Sequence, residues 1–222
     1  MTPTDNVLYF NKDIDVRLCL KNGFTSLRGL FSSIYKDYII ENYDIKTHHI
    51  GPKGEILHHA VGTDFRYHQA MIYQDIWDIP FRRGSYRIAV KRDPLERFLS
   101  TITYLDKVKK YDANNPWKKL YIQLDDINKS DIDKVLDAFD NQTLRDEHFF
   151  SQTYFMGHPN DYDKVYYLHE LDELIKWLCK KCNYPYSPIK LNKSKDPYPE
   201  LTSEQQLRII KMYAKDYANG WY

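Results

Sequence analysis

Residues Val16–Leu30 read VRLCLKNGFTSLRGL, and this stretch decides the fold class of the 222-residue chain. Alternating apolar residues over Val16–Leu20 predict a short strand. Gly23 favours a tight turn because glycine adopts backbone angles that other residues resist. Thr25 and Ser26 are common N-cap residues, and apolar residues follow them at helical spacing. The stretch therefore predicts a strand, a glycine turn and a helix in direct succession.

Such a turn is a candidate anion site. The N–H groups and the dipole at a helix N-terminus attract phosphate, and Lys21 adds a full positive charge. The pattern is not a Walker A loop, in which the lysine stands at the helix start beside a Mg²⁺-binding hydroxyl. Taken alone, the stretch fits an ordinary strand-to-helix connection with a surface lysine equally well.

A second strand-to-helix stretch lies at Tyr86–Ser100, which reads YRIAVKRDPLERFLS. Its apolar residues predict another strand, and Asp93 and Pro94 are typical of a helix start. Arg92 then falls at the junction, and Ser100 follows two helical turns later. Solvent-exposed arginines on a well-capped helix would give the same pattern. Two such corners, each with a cation and a hydroxyl, nevertheless suit a ligand with two phosphates.

These two stretches resemble the nucleotide-binding elements of PAPS-dependent sulfotransferases, especially the carbohydrate, Golgi-type branch. Lys21–Leu27 (KNGFTSL) is similar to the 5′-phosphosulfate loop, with Leu20 where the family often has proline. Arg92–Ser100 (RDPLERFLS) resembles the 3′-phosphate element. The resemblance continues in Asp163–Leu174 (DKVYYLHELDEL) and Asn192–Gln205, which includes NKS and YPELTSEQ.

The resemblance implies PAPS as cofactor and 3′,5′-ADP as product, with no metal ion required. Lys21 would neutralise the charge that develops on the leaving phosphate oxygen. Arg92 and Ser100 would bind the 3′-phosphate, and a C-terminal loop would close over the nucleotide. The residues implied to bind the nucleotide are Lys21, Asn22, Gly23, Phe24, Thr25, Ser26, Leu27, Arg92, Ser100, Lys193 and Ser194.

A general base for the acceptor hydroxyl is expected to be a histidine. His58 and His59 stand where a heparan-type branch of the family carries its catalytic histidine. Neighbouring side chains of a strand face opposite ways, so only one of the two can enter the site, with His59 slightly preferred. His148 belongs to HFFSQ, which resembles the family pattern H-[FW]-x-x-Q, and would position the acceptor or the cofactor. A structural role fits any of these histidines equally well.

The order of strands and helices predicts an α/β fold of P-loop-like, three-layer type, with a mainly parallel central sheet flanked by helices. Residues 1–222 are interpreted as a single domain, with residues 1–15 as an irregular N-terminal arm. Ligands of such sheets bind at the carboxyl ends of the strands. We therefore expect Lys21 and Arg92 to meet at one edge.

Later segments give further helix predictions. Ile132 begins an amphipathic helix with Ser130 or Asp131 as its cap, and Thr202 with Gln205 forms a capping-box pattern. Residues 146–154 have no clear period and predict a loop. The apolar face of the closing helix is expected to comprise Leu207, Ile210, Tyr213, Ala214 and Tyr217.

Composition limits the partners. A net charge of +1 argues against broad electrostatic binding to nucleic acid. No apolar run is long enough to cross a bilayer, so no membrane partner is expected and cytoplasm is the predicted location. The Cys179/Cys182 pair is a lone C-x-x-C motif within a helical pattern and predicts no metal site.

The predicted function is transfer of a sulfuryl group from PAPS to an acceptor hydroxyl of a small molecule or, preferably, a carbohydrate. Two alternatives remain open at this point. One is an ATP-dependent small-molecule kinase on a related fold, which the position of Lys21 disfavours. The other is a nucleotide-binding module without turnover.

Overall fold

A computed structural model describes residues 7–11, 13–35, 86–110, 131–144, 146–188 and 198–222. The chain divides into two compact units, each made of two separate stretches. Unit 1 comprises Met1–Lys91 with Phe155–Leu191, and unit 2 comprises Arg92–Tyr154 with Asn192–Tyr222. The single-domain interpretation stays a prediction.

The described part of the chain contains both strands and helices. The strands are β1 (Val7–Asn11), β2 (Ile14–Arg17), β3 (Tyr86–Lys91) and β4 (Lys164–Tyr167). The α-helices are α1 (Phe24–Ile34), α2 (Pro94–Lys110), α3 (Ile132–Asp140), α4 (Gln152–Met156), α5 (Leu171–Lys181), α6 (Ser203–Met212) and α7 (Ala214–Asn219). Among the described residues, no helix is both long and apolar enough to cross a membrane.

Unit 1 contains a four-stranded sheet, within the described part of the chain, in the order β1-β2-β3-β4. β1 pairs with β2 in antiparallel fashion, whereas β2–β3 and β3–β4 are parallel. The prediction of an α/β fold with a mostly parallel sheet flanked by helices is therefore confirmed. The antiparallel edge strand makes the sheet mixed.

The N-terminal segment corrects two boundaries. Residues 7–11 and 14–17 are strands, so an irregular arm over residues 1–15 is the wrong description of this part. Leu8 and Phe10, two residues apart on β1, are fully buried. This alternation is enough to hold the strand against the core. β2 also ends at Arg17, not Leu20, because its described pairing with β3 ends there.

The core of unit 1 joins the sheet to α1 and α5. α1 contributes Leu27, Leu30 and Phe31 to this core. α5 contributes the apolar series at positions 171, 174, 175 and 178, as its helical spacing predicted. The sheet and the two helices thus bury one continuous apolar cluster, which fixes the loops at their ends.

Unit 2 consists of helices, turns and connecting segments where it is described, and its predicted helix starts are confirmed. Asp93 Oδ1 accepts a hydrogen bond from the Glu96 N–H at 2.9 Å at the start of α2. Asp131 caps α3 through the Lys134 N–H. A reciprocal capping box between Thr202 and Gln205 begins α6. Apolar residues of α2, α3 and α6, including Phe98, Leu136 and Ile209, form its core.

Two predictions in unit 2 are wrong. Residues 146–154 include a 3-10 turn at Glu147–Phe149 and the start of α4, not only a loop. Leu207 and Ile210 are 67% and 44% exposed, whereas Ile209 is fully buried. Ile209 and Tyr213, four positions apart, are fully buried in the core of unit 2, so the buried face includes the predicted Tyr213 but leaves Leu207 and Ile210 at the surface.

Candidate functional site

The loop between β2 and α1 reverses the chain through two left-handed residues. Lys21 has φ 71° and Gly23 has φ 81°. This conformation suits glycine but costs a lysine on the order of 1 kcal/mol. The Asn22 N–H donates to the Cys19 carbonyl at 3.1 Å inside the turn. Surrounding contacts must therefore hold Lys21 in its strained conformation.

Asn22 supplies one of those contacts. Its Nδ2 donates to the carbonyl oxygen of Val90 at 2.8 Å, and the residue is only 1% exposed. Val90 belongs to β3, so the amide ties the loop to the carboxyl end of the neighbouring strand. The sequence interpretation placed Asn22 among the nucleotide contacts. The buried side chain positions the loop, and a contact between Asn22 and the nucleotide stays a prediction.

Gly23 is required for a second reason besides its φ angle. A Cβ atom built on Gly23 would lie 2.7 Å from Leu171 Cδ2 and 3.3 Å from Leu171 Cδ1. A separation of 2.7 Å is shorter than real Cβ contacts, so a larger residue would require the buried Leu171 side chain at the start of α5 to move. The loop therefore lies directly against the junction between β4 and α5.

The N-terminus of α1 has no side-chain cap within the described part of the chain. Gly23 is the N-cap and has no side chain with which to cap, and the first turn contains no acidic residue. The Leu27 N–H donates to the Gly23 carbonyl at 3.0 Å, and a helix leaves the three preceding N–H groups without an intrahelical acceptor. This end of α1 thus carries positive potential that can bind an anion.

Thr25 and Ser26 occupy a different place from the one predicted. Gly23 is the N-cap, so both hydroxyls lie within the first turn. Thr25 is exposed and Ser26 is half-buried, which leaves both at the surface of this turn. The Leu27 side chain is fully buried in the core of unit 1, and the predicted contact of this residue with the nucleotide stays a prediction.

Arg28 is a cation that the sequence interpretation missed. Its guanidinium carbon lies over the ring of Phe24, 5.0 Å from the ring centroid. Burial lowers the pKa of Arg28 to about 10, so the group still carries its charge at neutral pH. The i, i+4 spacing of Phe24 and Arg28 was the available signal. Phe24 therefore supports a second positive charge near the N-terminus of α1.

In unit 2, Arg92 is 9% exposed and its guanidinium is held from two sides. Nη2 donates to the hydroxyl of Tyr198 at 2.6 Å, and Nε lies 3.6 Å from Glu96 Oε2. Ser100 is half-buried and lies one helical turn beyond Glu96 on the same face of α2. The predicted 3′-phosphate residues thus lie on one helix start, with Tyr198 as an additional partner.

Gln152 fixes the backbone of Arg92. This fully buried amide accepts from the Arg92 N–H at 3.0 Å through Oε1, and Nε2 donates to the carbonyls of Arg92 and Trp221 at 2.8 and 2.9 Å. Asp216 in turn accepts from the Gln152 N–H at 2.8 Å. Gln152 is the last residue of the HFFSQ motif, which was the only sequence signal for this role.

His148 forms a pair with Asp146. Its Nδ1 lies 2.7 Å from Asp146 Oδ1, which also accepts the His148 N–H at 2.9 Å. The carboxylate assigns the proton to Nδ1 and leaves Nε2 as a proton acceptor. The ring also packs on Tyr104, with centroids 5.2 Å apart. This arrangement has the chemistry of an oriented general base.

The described structure does not test whether the predicted site residues come together. His58, His59, Lys193 and Ser194 lie outside the described residues. The loop with Lys21 belongs to unit 1, whereas Arg92, Ser100 and His148 belong to unit 2. The expected meeting of Lys21 and Arg92 at one edge therefore stays a prediction.

Comparison with known proteins adds no relative. No protein-family model matches the chain, and neither a curated protein nor a solved structure matches it. What the protein does must therefore be inferred from its own residues and their geometry.

Proposed function

We propose that this protein is a PAPS-dependent sulfotransferase of P-loop-like fold that sulfates an acceptor hydroxyl, preferably on a carbohydrate. The observation that carries the proposal is the loop between β2 and α1. Its two left-handed residues lead directly into an uncapped, acid-free helix N-terminus. Lys21 precedes that N-terminus, in the position that the family's 5′-phosphosulfate loop implies.

In the proposed reaction, the acceptor oxygen attacks sulfur while the bond from sulfur to the bridging 5′-phosphate oxygen breaks. The acceptor proton passes to a base, and 3′,5′-ADP leaves with the bonding electron pair. Negative charge grows on the bridging oxygen, and Lys21 neutralises it. The N–H groups of the first turn of α1 hold the 5′-phosphate, and Arg28 adds positive potential.

Arg92 and Ser100 are proposed to bind the 3′-phosphate. A guanidinium binds phosphate through paired, charge-assisted hydrogen bonds, which are stronger than neutral ones. The competing carboxylate of Glu96 is 61% exposed. An exposed ion pair contributes only about 0–1 kcal/mol, so a phosphate can replace Glu96. Tyr198, which contacts Arg92, would keep the guanidinium in place.

His148 is the described histidine best suited to accept the acceptor proton. The bond to Asp146 orients the ring and stabilises the imidazolium that forms when Nε2 takes the proton. His58 and His59 are the other candidates from the sequence. Single replacement of each histidine, followed by single-turnover rates, distinguishes them.

Nucleotide-dependent thermal stability tests the proposal. We expect 3′,5′-ADP to raise the melting temperature without Mg²⁺, since a ligand at 100 times its Kd stabilises a protein by about 2.7 kcal/mol. Lys21→Ala should weaken this shift, and Arg92→Ala should reduce the preference for 3′,5′-ADP over AMP. Stronger stabilisation by ATP with Mg²⁺ would favour a kinase. A shift without any transfer of labelled sulfate to an acceptor library would leave a binding module.

A further inference from the structure

The segment that carries His148 lies against one side of α2 in unit 2. Arg97, Thr101 and Tyr104 follow each other at helical spacing on α2, so they lie on the same face of that helix. Each of the three contacts His148 itself, through its backbone carbonyl or its ring. We call these three residues the α2 clamp.

Arg97 gives the α2 clamp a fully buried guanidinium. Its Nη1 donates to the His148 carbonyl at 3.2 Å, and its Nη2 donates to the carbonyl of Phe150. The guanidinium carbon also lies 5.0 Å from the centroid of the Tyr213 ring. Because a guanidinium is a planar fork with fixed donor directions, these two bonds hold residues 148–150 in one orientation relative to α2.

Thr101 binds the same His148 carbonyl with a hydroxyl that is also buried. Thr101 Oγ1 lies 3.2 Å from the His148 carbonyl oxygen and 3.1 Å from the Arg97 carbonyl oxygen, so one proton serves both acceptors. The bond to Arg97 is the usual bond of a helical threonine to the carbonyl four residues earlier. The bond to His148 spans 47 residues, so it is a tertiary contact that helix formation does not require.

The α2 clamp fixes the backbone on which the alignment of the His148 ring depends. Asp146 Oδ1 accepts the His148 backbone N–H at 2.9 Å and lies 2.7 Å from ring Nδ1. One carboxylate oxygen can bind both groups only while the His148 backbone keeps its place. The Tyr104 ring, whose centroid is 5.2 Å from that of the imidazole, limits the rotation of His148.

We propose that Arg97, Thr101 and Tyr104 are positioning residues that keep the proton of the neutral His148 ring on Nδ1. A neutral imidazole takes a proton from an acceptor hydroxyl only at its unprotonated nitrogen, which is then Nε2. Without the α2 clamp the ring loses its alignment with Asp146 and populates the tautomer whose proton is on Nε2. The effect on the tautomer stands by itself, whereas the part of the α2 clamp in catalysis rests on the proposed function.

Thr103 provides a matched control on the same helix. Thr103 Oγ1 donates to the Leu99 carbonyl at 3.0 Å, which is the same helical bond that Thr101 makes to Arg97. Within the described part of the chain, Thr103 makes no hydrogen bond to His148. Thr101→Val and Thr103→Val therefore remove the same kind of helical bond, and only Thr101→Val also removes a contact with His148.

Nitrogen NMR spectra of the full chain with isotope-labelled histidine test the α2 clamp, because they report which ring nitrogen carries the proton. His148→Gln identifies the signals, and a pH of about 8.5 keeps the imidazole neutral. We expect the parent to carry the proton on Nδ1. The Nε2-protonated fraction should rise about fivefold in Thr101→Val and in Tyr104→Ala, as for the loss of one hydrogen bond or ring contact. Thr103→Val and Tyr104→Phe, which keeps the ring, should match the parent.

Two results would overturn the proposal. In the first, Thr101→Val and Tyr104→Ala both keep the tautomer of the parent. In the second, Thr103→Val changes the tautomer as much as Thr101→Val does. Arg97→Lys keeps the charge but cannot span two carbonyls, so it should also raise the Nε2-protonated fraction; if this variant does not fold, Thr101→Val decides.

Single-turnover transfer of labelled sulfate from PAPS, with the 3′,5′-ADP thermal shift measured in parallel, separates this proposal from the proposed function. Thr101→Val should slow transfer about tenfold through misalignment of the base and leave the 3′,5′-ADP shift unchanged. A Thr101-dependent tautomer in a protein with neither shift nor transfer would retain the α2 clamp and remove the sulfotransferase. Transfer at the parent rate in Thr101→Val, with the tautomer changed, would overturn the catalytic part and assign the base to another residue.

Discussion

The two strand-to-helix corners of this protein use the same kind of anchor for different kinds of binding group. After β2, the amide of Asn22 holds the loop by one bond to the Val90 carbonyl, and the backbone of the loop and of α1 is what can bind an anion. After β3, the amide of Gln152 holds Arg92 by two bonds to its backbone, and the guanidinium is the group proposed to bind phosphate. Each corner thus separates the group proposed to bind from the buried amide that positions it.

This difference has a consequence for mutation. A backbone site depends on the conformation of several residues, so changes in loop geometry should damage it most. A side-chain site depends on one head group and its support, so removal of the support should matter as much as removal of the head group. We expect the largest loss of stability from replacement of Gln152 and the smallest from replacement of Cys182.

Replacement of Gln152 by leucine is expected to have the largest effect on stability. The substitution leaves the Arg92 N–H and the carbonyls of Arg92 and Trp221 without their buried partner. Each unsatisfied group costs about 1–3 kcal/mol, so we expect a loss of roughly 3–5 kcal/mol in the free energy of unfolding. Urea denaturation measures it. A loss below roughly 1 kcal/mol would show that the amide is not the support of Arg92.

Replacement of Gly23 by alanine tests the backbone corner. The alanine Cβ would lie 2.7 Å from Leu171 Cδ2, and the alanine backbone would have to adopt φ 81°. We therefore expect destabilisation of roughly 2–4 kcal/mol and loss of the thermal shift caused by 3′,5′-ADP. Gly220→Ala shares the positive φ but meets no atom within 4 Å, and should cost about 1 kcal/mol. Gly29→Ala, in helical backbone and open space, should stabilise by about 0.5–1 kcal/mol. Equal losses at Gly23 and Gly220 would contradict a steric role for Leu171.

Replacement of Asn22 by alanine removes its buried hydrogen bond to the Val90 carbonyl. Because that carbonyl loses this donor, we expect a loss of about 1–3 kcal/mol, smaller than for Gln152→Leu. The 3′,5′-ADP shift should fall further than this loss alone explains, since Lys21 is released from its left-handed conformation. If Asn22→Ala lost stability but kept its affinity for 3′,5′-ADP, the prediction would be contradicted, and Asn22 would support the fold without contributing to nucleotide binding.

The sequence predicted contacts between neighbouring residues much better than contacts between residues far apart in the chain. The helix starts at Asp93, Asp131 and Thr202 depend on residues three positions apart. Asp93 and Thr202 were predicted correctly, and Asp131 was one of two predicted candidates, with Ser130. The bonds from Asn22 to Val90 and from Gln152 to Arg92 span 68 and 60 residues. Neither local pattern nor propensity encodes contacts over such distances.

Boundary errors have a similar cause. Thr25 and Ser26 are good N-cap residues by type, but the left-handed Gly23 begins α1 earlier and takes the cap position. β2 ends at Arg17 because its pairing with β3 stops there, although apolar residues continue to position 20. Leu207 and Ile210 fit the apolar period of α6 but are exposed, since Ile209 and Tyr213 are the residues of this segment that pack into the core of unit 2. In each case a tertiary contact overrides the local pattern.

The smallest expected effect concerns a third type of anchor in unit 1. The Cys182 thiol and the Tyr35 hydroxyl both donate to the Phe10 carbonyl, at 3.0 and 2.6 Å, and so hold β1. Burial and the neighbouring Cys179 raise the pKa of Cys182 from 9.0 to about 11. The folded protein therefore keeps this proton between about pH 9 and 11, where the unfolded chain has lost it. The contribution of the protonated Cys182 thiol to the free energy of unfolding is therefore fully present below pH 9, and it is lost as the pH rises through 11.

Urea denaturation of the parent and of Cys182→Ala between pH 8 and 11 measures this contribution. Two pKa units correspond to at most about 2.7 kcal/mol, and partial exposure of the thiol reduces the expected loss to roughly 1 kcal/mol. The difference between the two proteins removes the titration of Tyr35 and the lysines, which both share. A difference that stays constant over this range would show that the thiol does not anchor β1 through its proton. A difference that shrinks with rising pH would place Cys182 beside Asn22 and Gln152 as a buried donor whose partner is a strand or junction carbonyl.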